Sequence, residues 1–446
     1  MQKAKELAVK ILSYYDKQHL SLKKAFSLVV KDSKYPLELR RTAFHYSIEI
    51  IRYLNSIDFI LRKVVPIPLK DLPSPYKNIL RLATFEYKFE KNATPNSISE
   101  YITLIKRVIN NQEIINQSKE VLEKIKSFNL IRYIKRLDTY NKLALAYSHP
   151  VWFIKKVAKL FDRDDLVQLL HTNNTPRPFW LRVNTLKCSV DYVLSSLKEE
   201  GIIVKQDKNY PIMLRVIKNK IPLPLSKAVT TGYAFIQDKA SVLTIYALNP
   251  SENDIIWDAC AAPGMKTVTI SQFMKNQGLI LATDYSLNRL RIAIENVKKA
   301  GAHNIEFIAA NAKKVSINSH IDKVLIDAPC SSSGVFQSDP EFKWRVTLKK
   351  LNTLVSTQRK ILKGVLRNLD EGTVVVYVTC SILPDEGEEQ ILWLLNNYDI
   401  ELLPLNIEGN PGYPNYWFSK FVRRTYPFSN ETKGFFISKF VYFGKK

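Results

Sequence analysis

Apolar and polar positions alternate along this chain with two different periods, and the change of period divides it. In residues 4–12 the apolar positions Ala4, Leu7, Ala8, Ile11 and Leu12 recur three and four apart, the spacing of a helix with one buried face. Residues 48–57 repeat that pattern. Pro66, Pro68, Pro73 and Pro75 interrupt it, and a further helix is predicted over about 76–89. This stretch reads as an all-α domain occupying residues 1–135.

Residues 136–235 mix the two periods. A helix over 149–157 is entered through Pro150, a strand follows at 179–184, and an amphipathic helix over 192–200 stops at Gly201. Short strands are expected at 202–204 and 213–216, which makes a small α+β subdomain. From residue 236 onward strand and helix alternate. Apolar runs at 255–258, 279–284, 305–308, 324–327 and 373–379 read as strands. A helix over 287–299, apolar at Leu290, Ile294 and Val297, closes at Gly301. Such alternation predicts an α/β fold over 236–446, a mainly parallel sheet with helices on both faces.

Composition narrows the partner. The 446 residues carry 66 Lys and Arg against 42 Asp and Glu, a formal net charge of +24, and residues 1–150 alone hold 27 against 14. A surface of that sign suits nucleic acid. No apolar run reaches the roughly 18 residues that span a bilayer, and Lys3, Lys5 and Glu6 stand where a signal peptide needs apolar residues. The four cysteines, Cys188, Cys260, Cys330 and Cys380, form no C-x-x-C pair, and the six histidines show no ligand spacing. These features predict a cytoplasmic, nucleic-acid-binding monomer with free thiols, without metal or membrane association.

In parallel sheets ligands bind beyond the carboxyl ends of the strands. Asp258, Asp284, Asn311, Asp327, Cys330 and Cys380 all fall at or just after predicted strand ends. The turn from Asp258 to Thr267 contains Ala262-Pro263-Gly264, where glycine permits a tight turn before a helix whose free N–H groups face an anionic group. Such a loop alone is equally a tight connection. Asp284, 20 residues beyond Gly264, adds an acceptor placed for ribose hydroxyls and favours a cofactor. Two thiols on the same rim point to covalent chemistry on an unstacked base, hence a methyltransferase. The alternative for both thiols is the small buried core residue that free cysteine most often is. Lys343, Trp344 and Arg345 are placed to stack on or clamp a nucleic-acid strand, the alternative being that Trp344 packs the start of a helix, and the small α+β subdomain carrying Trp180 is a candidate for a second RNA surface.

Four motifs carry a family resemblance: residues 258–267, Asp327-Ala328-Pro329-Cys330-Ser331-Ser332-Ser333-Gly334, Lys343-Trp344, and Tyr377-Val378-Thr379-Cys380-Ser381. In this order they resemble the successive motifs of RNA cytosine-5 methyltransferases, the Sun/RsmB family. Weaker similarity continues upstream through Gln237-Asp238-Lys239-Ala240-Ser241, and the helical first third is similar to the NusB-like domain of the RsmB branch. The resemblance implies a Rossmann-like domain using S-adenosyl-L-methionine, RNA as substrate (ribosomal RNA favoured by the NusB-like domain, transfer RNA the alternative), and methylation at cytosine carbon 5. Cys260, Ala261, Ala262, Pro263, Gly264, Met265 and Lys266 would wrap the methionine side of the cofactor. Asp284 would hold the ribose, Asn311 would face the adenine, and Asp327 would lie between cofactor and base. Cys380 would be the nucleophile, with Cys330 assisting proton removal or product release; exchanged roles are the alternative. The family usually has Asp where Asn311 stands, and a second small residue where Met265 stands, so the Met265 side chain must turn away. Two other classes compete: a non-catalytic RNA-binding assembly factor, against which the intact motifs argue, and an exocyclic-nitrogen methyltransferase, which needs an Asn/Asp-Pro-Pro-aromatic loop that Asp327-Ala328-Pro329-Cys330 does not supply.

Overall fold

The computed structural model describes residues 2–18, 20–31, 35–90 and 97–446. They form two compact units, one of residues 1–174 with 339–345, the other of residues 175–338 with 346–446.

The first unit is helical. Helix Gln2–Gln18 buries Leu7, Ala8, Ile11 and Leu12 and packs against helices Leu37–Arg52 and Ser74–Lys88. The helix expected over 76–89 is the last of these, entered through Pro73 with Pro75 in its first turn. The periodic run 48–57 is not one helix. It breaks at Tyr53 (φ −101°, ψ 15°), whose N–H caps the helix Leu37–Arg52 before Leu54–Val64 begins. The apolar spacing survives the break because both helices bury into one core.

Asp339–Arg345 belongs to this unit although it lies between the two cysteine motifs. Lys343 is fully buried there, and its ammonium donates to the Ser148 carbonyl (3.1 Å), the Arg52 carbonyl (3.3 Å) and Asn174 Oδ1 (2.6 Å). Trp344 packs on the helical core and donates its indole N–H to the Ile51 carbonyl (2.7 Å). Arg345 pairs with Glu341 at 2.9 Å and lies over the Tyr15 ring. For Trp344 packing replaces the strand clamp, and Lys343 is buried beside it, while Arg345 stays exposed.

The second unit holds two sheets. In the smaller, β1 (Phe179–Val183), β2 (Ile202–Gln206), β3 (Met213–Asn219) and β4 (Ala234–Ile236) run antiparallel in the order β2-β3-β1-β4, with helix Val190–Glu199 between β1 and β2 in sequence. Trp180 on β1 is buried and donates its indole N–H to the Glu431 carbonyl (2.9 Å), so it offers no face to a nucleic acid.

The larger sheet comprises β5 (Ile255–Asp258), β6 (Leu279–Asp284), β7 (Ile305–Ala309), β8 (Lys323–Asp327), β9 (Val374–Thr379), β10 (Tyr398–Leu402), β11 (Arg423–Thr425) and β12 (Phe435–Lys445). Its order is β10-β12-β9-β8-β5-β6-β7, with β11 paired to β12. The five expected strands β5 to β9 are parallel, and β12, β10 and β11 add an antiparallel flank. Trp257, Val324, Ile326, Val375 and Tyr377 enter one core layer, while Ile256, Ile280, Leu325, Val376 and Val378 enter the other. Burial on both faces explains why these strands read as apolar runs rather than alternating ones. The chain builds outward from β5 through β6 to β7, then returns through β8 to β9, so the order reverses between β5 and β8. That reversal opens the crevice in which such sheets bind ligands. Among the described residues no helix is long and apolar enough to cross a membrane, and no group of three or more His, Cys, Asp and Glu is placed to hold a metal ion.

Candidate active site

At the end of β5, Asp258 leads into a turn held by backbone bonds: Ala261 N–H donates to the Thr283 carbonyl (2.9 Å) and Gly264 N–H to the Ala261 carbonyl (2.7 Å). The Ala262-Pro263 peptide is cis. Gly264 has φ 88°, and a Cβ there would lie 2.8 Å from the Ala293 Cβ, so both the turn and the close approach of helix Leu287–Ala300 require glycine. Helix Met265–Phe273 starts at the next residue. The Met265 side chain packs against the apolar cluster of Val268, Val297, Ala300 and Ala302, turned away from the crevice as the sequence reading required.

The carboxylates at the three strand ends have different partners. Asp258 accepts from the Thr267 hydroxyl at 2.7 Å through one oxygen, while the other is buried with no partner. Burial pushes its carboxyl up to about 7. Asp284, also buried, accepts from Ser286 N–H (2.9 Å) and Ala262 N–H (3.3 Å) and pairs with Arg289 at 3.1 Å. Arg289 also donates to the Ala262 carbonyl, which ties the turn to Asp284. Asp327 accepts from Lys266 Nζ at 2.6 Å. Burial opposes the charge on Lys266, but the Asp327 carboxylate outweighs it and holds the ammonium above its usual range. Cys260 is pushed up by burial, so it stays a thiol among apolar neighbours. Asn311, just past β7, is exposed, and its side-chain oxygen accepts from Lys313 N–H at 3.1 Å.

The cysteines follow adjacent parallel strands. Asp327 on β8 stands opposite Val378 on β9, and three residues beyond Asp327 and two beyond Val378 the Cys330 and Cys380 Sγ atoms lie 3.2 Å apart. Their loops are cross-tied: Gly334 N–H donates to the Cys380 carbonyl (3.0 Å), and Ile382 N–H donates to the Ser333 hydroxyl (3.1 Å). The Cys380 thiol is held below its ordinary value, first by the hydrogen bond from Cys330 and then by Ser332 and Lys433, against burial and Asp327. Cys330 is driven well up by the same hydrogen bond, by burial, and by the Cys380 and Glu386 charges. The two thiols are thus displaced in opposite directions, Cys380 down and Cys330 up, with Cys330 favoured as the donor between them.

A buried ion pair supports the Cys380 loop. Arg424 on β11 and Glu388 are both fully buried, joined by an Nε–Oε1 bond of 2.7 Å and a second bond from Nη2 to Oε2. The free Nη1 donates to the Ser381 carbonyl (3.1 Å), and Tyr413 donates its hydroxyl to the Ile382 carbonyl (2.7 Å). Arg289, Tyr413 and Glu388 lie outside what the sequence reading marked. The available signal was an acidic cluster, Asp385, Glu386, Glu388 and Glu389, immediately after Cys380 in a strongly basic chain.

Three family models match in the order of the structure. Residues 2–126 match the NusB family, residues 149–221 the ferredoxin-like domain of RsmF/B-like methyltransferases, and residues 245–441, which include every rim residue above, the 16S rRNA methyltransferase RsmB/F. The chain belongs to the RsmB/F methyltransferase family. It is 31% identical over 327 residues to the 28S rRNA (cytosine-C(5))-methyltransferase of Mus musculus, covering 70% of this chain and 41% of that one, so it spans about two fifths of that relative's length. It is 27% identical over 376 residues to the probable ribosomal RNA small subunit methyltransferase B of Coxiella burnetii, covering 80% of this chain and 84% of the relative. The crystal structure of PH0851 superposes with a TM-score of 0.83 at 26% identity over 98% of both chains. Within this family the larger sheet is the Rossmann-like methyltransferase sheet, and residues 2–126 of the helical unit are the NusB domain.

Proposed function

We propose that this chain methylates carbon 5 of a cytosine in ribosomal RNA, using S-adenosyl-L-methionine and a covalent bond from Cys380 to carbon 6. The observation that carries the reading is the pair of thiols 3.2 Å apart beside the Asp258, Asp284 and Asp327 rim, in a chain of this family.

The residues fit the cofactor. The buried unpartnered oxygen of Asp258 and the first turn of helix Met265–Phe273 suit a ligand bearing an amino and a carboxylate group, and Asp284 suits ribose hydroxyls. Residues 260–266 would hold the methionine side and Asn311 the adenine. When bound, S-adenosyl-L-methionine supplies a methyl group on a positively charged sulfur.

Carbon 5 of cytosine is too weak a nucleophile to take that methyl unaided. Addition of the Cys380 thiolate to carbon 6 breaks the 5,6 double bond and moves its electrons toward carbon 5. Asp327 accepts from the polar edge of the ring and fixes the base over the thiolate, with Lys266 holding the carboxylate in place. After methylation the carbon-5 proton leaves to a base, the double bond re-forms and Cys380 departs as thiolate. Cys330 serves this release as the proton-bearing partner of the leaving sulfur. In the three-part division, residues 1–135 and 136–235 capture RNA and residues 236–446 carry out the chemistry. The basic balance of the first third supports its share of the binding.

Bisulfite sequencing of total RNA incubated with the protein and cofactor tests the reading. One or a few ribosomal cytosines should become resistant to conversion, dependent on Cys380. Resistance confined to transfer RNA would move the substrate, and none in any RNA would end the assignment.

A further inference from the structure

Cys330 is followed by a serine whose backbone and side chain are both taken up by a carboxylate from the other cysteine's loop. Glu386 lies six residues beyond Cys380, at the end of the turn Pro384–Glu386, and is fully buried. Its Oε1 accepts from Ser331 N–H at 2.8 Å, and its Oε2 accepts from the Ser331 hydroxyl at 2.5 Å. The Gln358 amide, from the middle of helix Leu348–Leu366, donates to the same Oε1 at 3.0 Å and to the Pro329 carbonyl at 3.0 Å. The peptide groups on either side of Cys330 are thus gripped at once, the one before by Gln358 and the one after by Glu386. The main chain of Glu386 is fixed to β9, since its carbonyl accepts from the Tyr377 hydroxyl (3.1 Å) and the Thr379 hydroxyl (3.2 Å).

We propose that Glu386, with Gln358, is a positioning residue of the methyl transfer, bracketing Cys330 so that its thiol faces Cys380 at the moment the product is released. The assignment rests on the function proposed above and goes beyond it to two residues that touch neither base nor cofactor in that reading. A fully buried carboxylate is costly unless donors satisfy it. Here the Ser331 N–H, the Ser331 hydroxyl and the Gln358 amide do so, joined by Ser381 of the Cys380 loop, and the first three belong to the Cys330 loop or to the residue holding it. The other ties between the loops, through Ser333, Gly334 and Ser381, do not reach the peptide groups adjoining Cys330. Glu386 also adds its negative charge beside Cys330, favouring the proton on that thiol rather than on Cys380.

The test uses the full chain in five variants, C380A, C330A, E386Q, E386D and Q358L. Each is read for S-adenosylhomocysteine affinity by calorimetry, for kcat and KM, and for covalent protein–RNA species on denaturing gels. E386Q keeps the shape but turns an amide group toward donors, and Q358L removes the grip on the Pro329 carbonyl together with one donor to Glu386. Both should bind S-adenosylhomocysteine within twofold of the wild type and lose tenfold or more in kcat at little change in KM. Both should accumulate the adduct that C330A accumulates, and E386D should restore part of the turnover. If C330A traps an adduct while neither E386Q nor Q358L does, the bracket is structural and the proposal falls. If C330A itself traps nothing, the role of Cys330 in release fails and takes the bracket with it.

Discussion

Cys330 and Cys380 face each other with their sulfurs 3.2 Å apart, one beyond the end of β8 and the other at the end of β9, strands that pair in parallel. The surroundings make the two thiols unequal. Glu386 stands near Cys330, whereas Lys433 and the Ser332 hydroxyl favour charge on Cys380. Two thiols in contact titrate as a pair, and these surroundings favour ionisation of Cys380 over Cys330.

Substituting the thiols one at a time should therefore give opposite results. C380A should lose turnover and form no covalent RNA species. C330A should attack and methylate but release slowly, so a protein–RNA band should build up on denaturing gels run with S-adenosyl-L-methionine. A band from C380A and none from C330A would reverse the two roles.

The ionisation of Cys380 should depend on its neighbour. The Cys330 hydrogen bond is the largest influence lowering the Cys380 pKa, so its loss in C330A should move the midpoint for alkylation of Cys380 to higher pH. Iodoacetamide labelling between pH 6 and 10, read by mass spectrometry on the Cys380 peptide, measures it. An unmoved midpoint would show that the thiols titrate independently.

Asp258 should make the second unit less stable as pH rises. Its carboxyl titrates near 7 when folded but near 3.9 when unfolded, so the folded chain binds the proton more tightly. The stabilisation is fully present below about pH 4 and is lost as pH rises to about 7, on the order of 4 kcal/mol at most. Urea melts at pH 5 and pH 7 should show a smaller decline in D258N than in the wild type.

Removing the ribose-side acid should weaken the cofactor site. D284A should lower S-adenosylhomocysteine affinity by about tenfold or more, the loss expected of hydrogen bonds to a charged acceptor. Calorimetric titration reads this directly, and unchanged affinity would remove Asp284 from the site.

Breaking the Arg424–Glu388 pair should be costly because neither side chain reaches solvent. E388A leaves a guanidinium buried without its counter-charge, which costs about 3–5 kcal/mol. The urea midpoint should fall accordingly. At denaturant-free conditions the surviving folded protein should show impaired turnover, since Arg424 holds the Ser381 carbonyl.

The parallel core was legible because strands buried on both faces leave continuous apolar runs, and the rim was legible because Asp258, Asp284, Asp327, Cys330 and Cys380 all sit at strand ends. The antiparallel flank was not read. β11 is three residues long, and β12 inserts between β9 and β10, a pairing that chain order does not encode. Tyr53 splits an uninterrupted apolar period because a helix end is a matter of capping geometry, not of hydrophobic spacing. Glu386 and Glu388 were invisible for a different reason: an acidic cluster reads as solvated surface, and only the donors brought from distant helices and strands reveal it as interior. Lys343 and Trp344 carried a motif-like signature, but nothing local states on which body a four-residue turn will pack.

That short turn makes the helical unit a discontinuous one. The chain passes from one unit to the other three times, after residues 174, 338 and 345, so the helical portion is not a detachable prefix. A transplant of residues 1–174 onto another protein would leave empty the slot filled by Lys343 and Trp344, stranding the Ser148 and Ile51 carbonyls that they satisfy. A gene rearrangement cutting at the first boundary alone would damage both halves, a covalent reason for the two to be inherited together.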